Sequence, residues 1–196
     1  MKTCKISDVA DIQSGLVLSR KVSKTNTGLH VYRRLTLRSI TDESLLDMSS
    51  IEPYAAAETI DNAFLTREND IIIRLFAPPR AVLIKKEQAG LVVPSQLAIV
   101  RVKEQSAILP GYLSAYLPNE RCLENLMEGA GAAAQKIIKV GSVADMEIPC
   151  LPEEKQKIIS YMADEQLNIL ALYKNIAKQE ALRTKRIIKD IIGGIR

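Results

Sequence analysis

The chain has 196 residues, 47% of them hydrophobic and 26% charged, and 27 Lys+Arg against 23 Asp+Glu leave a net charge of +4. These proportions belong to an ordinary globular protein and exclude intrinsic disorder, a collagen-like repeat and a disulfide scaffold. No run reaches the roughly 18 uninterrupted apolar residues of a membrane span, and a single His with no Trp removes most imidazole-based chemistry.

Charge is unevenly distributed along the chain. Residues 1–40 carry a net +6, residues 41–70 a net −7, and residues 71–103 a net +5. Two basic blocks therefore flank an acidic one. If the basic blocks lie side by side, they form a positive surface much stronger than +4, the electrostatic footprint of a phosphate-binding protein.

The first half reads as strands. Val31–Ile40 alternates, with Leu35 and Leu37 on one face and Arg34, Thr36 and Arg38 on the other. The β-branched run Ile71–Phe76 is entered through Asn69-Asp70, a turn pair. Pro78-Pro79 breaks it before Ala81–Ile84, and residues 90–93 and 97–102 complete the block. Helical spacing begins at Pro110, a favoured first-turn residue, with Tyr112, Leu113, Tyr116 and Leu117. A second helical patch, Cys122 to Met127, stops at Gly129, and residues 129–147 are small, polar and irregular.

From Glu153 to Ile192 there is no Gly and no Pro, which predicts one helix of about 40 residues, roughly 60 Å long. Glu153 and Glu154 lie in its first turn and Lys185, Arg186 and Lys189 near its end, as the helix dipole favours. Two stripes run along it at alternating spacings of three and four. One contains Ile159, Met162, Ile169, Tyr173, Ile176 and Ile187; the other contains Leu167, Leu170, Ile188 and Ile191. No other segment is a helix of comparable length, so an apolar face this long requires a partner in trans. Folding back on its own domain covers only part of it.

Several segments imitate reactive motifs without their chemistry. Ala77-Pro78-Pro79-Arg80 lacks the polar acceptor and aromatic ring of an amino-methyltransferase motif. Gly129–Ala134 follows a helix rather than a strand, so it is no dinucleotide fingerprint. Glu153-Glu154-Lys155 opens a helix, unlike the strand-borne carboxylates of a nuclease, and His30 has no nearby Cys or carboxylate partner in sequence. Cys4, Cys122 and Cys150 are an odd number without metal-ligand spacing, which fits a reducing compartment. No catalytic residue, metal or bound cofactor is expected. With no apolar signal core near its start, the expected location is cytoplasmic.

Taken together, several segments resemble one family. Lys5–Gly15 (KISDVADIQSG) resembles the opening of a target recognition domain in type I restriction-modification specificity subunits. Further similarities are Leu65–Arg74 (LTRENDIIIR), Val93–Arg101 (VPSQLAIVR), Pro110–Leu117, and the junction Ile148–Gln156 (IPCLPEEKQ) into the long helix. Asn69 stands where the family usually has Gly, and Asn tolerates the left-handed turn conformation. Full specificity subunits carry two recognition domains and two long helices; this chain has one of each.

The resemblance implies an α/β (α+β) fold: a strand-rich recognition domain over 1–150 and a long C-terminal coiled-coil-type helix over 151–196. It implies a non-catalytic chain that binds double-stranded DNA and docks a modification (methyltransferase) subunit, which binds S-adenosylmethionine and flips the base. A nuclease subunit completes some such systems. In a half-subunit two helices pair antiparallel, giving a homodimer with a split, palindromic target. The dimerisation set is then Ile159, Met162, Leu167, Ile169, Leu170, Tyr173, Ile176, Ile187, Ile188 and Ile191. The DNA-binding set is Arg20, Lys21, Lys24, Arg33, Arg34, Arg38, Arg74, Arg80, Lys85 and Lys86, with loop 19–30 supplying adaptable donors and acceptors. A different class, an oligomeric scaffold or decoy that occupies the modification subunit without specifying DNA, shares the helix and differs at the basic blocks.

Overall fold

The structure, a computed structural model, describes residues 2–20, 30–76, 78–118 and 137–193. At its centre is an antiparallel sheet in the order β2 (Ala10–Ser14), β7 (Leu97–Val102), β5 (Ile71–Arg74) and β6 (Ala81–Leu83). Side chains alternate across a strand, and here both faces are covered. Ile71, Ile73, Ala98 and Val100 face one core with Tyr112, Leu113, Ile138, Val143 and Ile148. Ile72, Leu97 and Ile99 face the other with Leu35, Ile40, Leu91 and Val93. Burial on both sides explains why β5 and β7 read as continuous apolar runs.

Two smaller ribbons complete the domain. β1 (Thr3–Lys5) pairs antiparallel with β8 (Glu147–Pro149), which ties the start of the chain to the segment entering the long helix. β3 (His30–Arg34) pairs antiparallel with β4 (Glu52–Ala56) over a cluster of Leu16, Tyr54, Ala56, Ile60 and Val92. Gly15 makes this crowding possible: a Cβ there would lie 2.3 Å from the carbonyl oxygens of Val93 and Pro94.

The helices are α1 (Ile6–Val9), α2 (Pro110–Tyr116), α3 (Val140–Ala144) and α4 (Glu153–Gly193, 41 residues). α2 starts at the expected proline, and α4 runs without a break as its composition predicts. Other expectations need correction. The alternating run 31–40 is a strand only to Arg34; Thr36 then caps a 3₁₀ turn over Leu37–Ser39, which leaves Leu37 exposed and Leu35 buried. Residues 90–93 form isolated bridges through Val92 rather than a strand, and the irregular stretch before 147 contains α3. The helical patch at 122–127 lies outside the described residues.

α4 is fixed to the domain in its first turn. Gln156 is buried, and its amide makes three hydrogen bonds: Oε1 accepts from Leu109 N at 2.8 Å, and Nε2 donates to the carbonyls of Ala107 and Leu151, both at 2.8 Å. α2 crosses close by, where a Cβ on Gly111 would sit 3.0 Å from the Ser160 side chain. Farther along, Lys85 pairs with Asp164 at 2.9 Å, and Lys174 pairs with Glu43. Beyond residue 170 every position of the helix is exposed. Replacing the amide, as in Gln156→Ala, strands two carbonyls and one N–H at a buried corner. We expect a loss of about 2–4 kcal/mol in urea-unfolding stability, and a change under about 0.5 kcal/mol would show that the clamp is dispensable.

Candidate nucleic-acid interface

The acidic block between the two basic ones supplies their counter-charge. Arg34 of β3 pairs with Glu52, directly opposite it on β4. The Arg74 Nη2 lies 2.9 Å from Asp42 Oδ1, and its Nε and Nη2 also donate to the Pro78 carbonyl at 3.1 and 2.9 Å. Arg80 donates to the Asp42 carbonyl and, at 2.8 Å, to that of Pro79. Arg34 joins two strands and Arg74 and Arg80 staple loops, where ordinary sequence counting reads free positive charge. Arg101, outside the proposed set, grips Asp70 with two bonds of 2.7 Å.

The Arg101–Asp70 pair lies beneath the turn the sequence marked. Asn69 adopts the left-handed conformation at φ 68°, and the Arg67 N–H donates to Asp70 Oδ2 at 2.7 Å. Asp70 is only 1% exposed, and its carboxylate raises the pKa of the Arg101 guanidinium. The Lys174 ammonium lowers the carboxyl pKa of Glu43 by hydrogen bonding, so this contact between α4 and the domain forms between charged partners.

The remaining residues of the expected DNA-binding set divide clearly. Arg33, Arg38 and Lys86 are exposed and make no ion pair among the described residues. Lys85 is committed to Asp164 and Asn168 of α4. Arg20 ends a 3₁₀ turn over Leu18–Arg20, while Lys21, Lys24 and most of loop 19–30 lie outside the described residues. Arg33 lies on the outer face of the β3–β4 ribbon beside Val31, which is 79% exposed, and opposite the exposed Pro53. An exposed β-branched residue next to an unpaired arginine on a two-stranded ribbon is a combination composition did not reveal; the alternation of 30–34 was its only sequence signal. His30 begins β3, with Nε2 3.3 Å from Thr59 Oγ1.

The long helix has two opposed faces. Ile159, Leu167 and Leu170 pack toward the domain, together with Gln156 and Ala163. These three are the members of the expected dimerisation set that are half-buried in the isolated chain. Met162, Ile169, Tyr173, Ile176, Ile187, Ile188 and Ile191 are exposed, as are Ile158, Tyr161, Leu172, Leu182 and Ile192, which the sequence set omitted. At about 100° per residue, Ile158, Met162, Ile169, Leu172 and Ile176 fall on the arc opposite the domain.

No group of three or more His, Cys, Asp or Glu able to hold a metal occurs among the described residues, and no described helix is long and apolar enough to cross a membrane. Cys4 and Cys150 are free thiols across the β1–β8 ribbon; burial first, then the neighbouring Cys150, pushes the Cys4 thiol up to about 11.

This strand-rich α/β domain with one long C-terminal helix is similar in fold to part of solved type I restriction-modification specificity subunits. The HsdS subunit from Thermoanaerobacter tengcongensis superposes with a TM-score of 0.65 at 11% identity, covering 96% of this chain and 47% of that one. A chain from the structure describing complex assembly and conformational transition of the type I R-M system gives 0.65 at 12% identity, with 91% and 45% covered. The type I restriction-modification S subunit from M. genitalium gives 0.55 at 14%, with 91% and 42% covered. The chain thus spans about half the length of these solved subunits. No family model matches the sequence, and no curated protein matches it.

The buried pair at Asp70 is the first test of this geometry. Asp70→Asn keeps the shape and leaves the Arg101 guanidinium without its counter-charge. A loss of about 3 kcal/mol in unfolding free energy is expected; an unchanged midpoint would mean that solvent already screens the pair.

Proposed function

We propose that this chain is a non-catalytic DNA-recognition half of a type I restriction-modification specificity unit. It selects the site, and a partner modification subunit carrying S-adenosylmethionine performs the methylation; a nuclease subunit completes the complex where one exists. The observation that carries this reading is the match of nearly all of this chain to less than half of each solved specificity subunit. A second copy, joined through the free face of α4, supplies the missing half. The unit is then two-fold symmetric, and its DNA target is split and palindromic.

The β3–β4 ribbon is the proposed reading element. A two-stranded ribbon fits the major groove, where an arginine reaches guanine O6 and N7 and an aliphatic side chain meets a thymine methyl. Arg33 and Val31 have the exposure for those roles, and Arg38 and Lys86 are available to phosphates. Arg34, Arg74 and Arg80 are already engaged within the domain.

Two measurements test the proposal. In a complex reconstituted with the modification subunit, Arg33→Glu should weaken binding to the methylated target about tenfold or more while leaving the domain folded. Methylation that ignores DNA sequence, or is indifferent to changes at Arg33, Arg38 and Lys86 together, would favour a scaffold that occupies the modification subunit. Separately, Ile169→Glu should shift the solution mass from dimer to monomer by sedimentation without altering domain stability. Leu170→Glu should instead destabilise the domain, since that half-buried side chain lines the apolar groove between α4 and the domain.

A further inference from the structure

Two thiols meet at the root of α4. Cys150 lies just ahead of Glu153, where the helix begins, and Cys4 lies in the strand that holds that segment. Thr3 of β1 is opposite Pro149 and Cys4 is opposite Ile148, and the Cys150 N–H continues the ladder by donating to the Lys2 carbonyl at 2.9 Å. Side chains alternate across a strand, so Cys4, Ile148 and Cys150 share one face, with the two cysteines diagonal to each other. Ile148 is fully buried and both cysteines are half-buried. The Cys4 Sγ lies 4.0 Å from the Ile148 carbonyl oxygen, and the Cys150 thiol is within hydrogen-bonding reach of it.

This placement is one small adjustment short of a covalent bond. Diagonal neighbours on a ribbon have Cα atoms about 7–8 Å apart and a disulfide spans up to about 6.8 Å, so closure needs a movement of roughly 1 Å. Cys150 has the freedom to supply it. It follows the last residue of β8 and is the middle of a three-residue turn, in which the Leu151 N–H donates to the Pro149 carbonyl at 3.1 Å.

We propose that Cys4 and Cys150 are a redox-sensitive pair, closed into a reversible disulfide by a low-molecular-weight disulfide RSSR, which locks the start of the chain to the root of α4. The Cys150 thiolate attacks one sulfur of RSSR and releases RS⁻, leaving a mixed disulfide on Cys150. Cys4 then gives its proton to solvent and attacks the Cys150 sulfur, which expels the second RS⁻. Two protein thiols are oxidised to one disulfide, and one RSSR is reduced to two RSH. The order follows from the site. Burial first, then the neighbouring Cys150, pushes the Cys4 thiol up to about 11, so Cys4 is the poorer first nucleophile. Conversion of Cys150 to the mixed disulfide removes its contribution, and the second step starts from a more readily ionised Cys4. Excess RSH drives the same steps backwards, so the bond follows the ratio of RSSR to RSH.

The test incubates the reduced full-length chain with oxidised glutathione at about pH 8, near the pKa of an ordinary thiol, and maps its cysteines by mass spectrometry. The unaltered chain should carry the Cys4–Cys150 disulfide in about tenfold or greater excess over glutathione adducts at either residue. Cys4→Ser should accumulate glutathione on Cys150. In Cys150→Ser, Cys4 should react about tenfold or more slowly than Cys150 does in Cys4→Ser. Hydrogen exchange at residues 3–5 and 147–156 should slow on oxidation and recover with dithiothreitol. A disulfide joining either residue to Cys122, stable glutathione adducts on the unaltered chain, or two thiols that stay free throughout would overturn the pair. Exchange at the root of α4 that is the same in both redox states would overturn the lock.

Discussion

The arrangement of this molecule depends on one buried amide. Gln156 sits in the first turn of a 41-residue helix and bonds to the loop before α2 and to the chain entering α4. A carboxamide suits this corner because it donates and accepts in one plane, serving two carbonyls and one N–H that burial removes from water. A long helix amplifies any error made at its root. A tilt of about 10° at the clamp would displace the far end by roughly 10 Å over a length near 60 Å. The contacts with Asp164 and Glu43 then hold the line that Gln156 sets, and both anchors come from blocks whose charge would otherwise be read as surface. Precision in the placement of the domain on the helix is therefore built from inside the domain outward.

The charge pattern illustrates how sequence proximity misleads. Blocks of +6, −7 and +5 suggest two positive patches separated by a negative one. In the fold the acidic block threads between the basic ones, and Glu52, Asp42 and Asp70 each neutralise an arginine far away in sequence. Such pairs contribute more to fixing loop geometry than to net stability. What remains for an external polyanion is a few arginines and lysines on the ribbon and nearby turns.

Legibility followed how local each determinant is. The long helix was plain because the absence of Gly and Pro over 40 residues leaves no other regular structure, and the left-handed turn at Asn69 was plain because few residues tolerate it. The three-residue strands β1 and β8 were hidden, since a pair 144 residues apart leaves no periodic trace in either segment. Leu37 failed as a strand residue because Thr36 offers its hydroxyl to the backbone and starts a 3₁₀ turn. The two stripes of α4 were both visible, yet which faced home was not. The face toward the domain cuts across them: Ile159 comes from one stripe and Leu167 and Leu170 from the other, a choice set by the position of Gln156 and of the small residues Gly111 and Ala163. Likewise, no count of arginines could separate Arg33 from Arg34, which point to opposite sides of one strand.

The outer half of α4 links folding to assembly. Residues 175–193 are exposed throughout, and an isolated helix of this length is marginal in water. Its large side chains, among them Ile176, Leu182, Ile187 and Ile191, are about half exposed or more. A helix in this state has two routes to lower free energy: it can fray, or it can bury the exposed arc against another helix. The near half cannot fray in the same way, because the clamp and the domain hold it. On the reading proposed above, a second helix laid on the far half would give it the support that the clamp gives the near half.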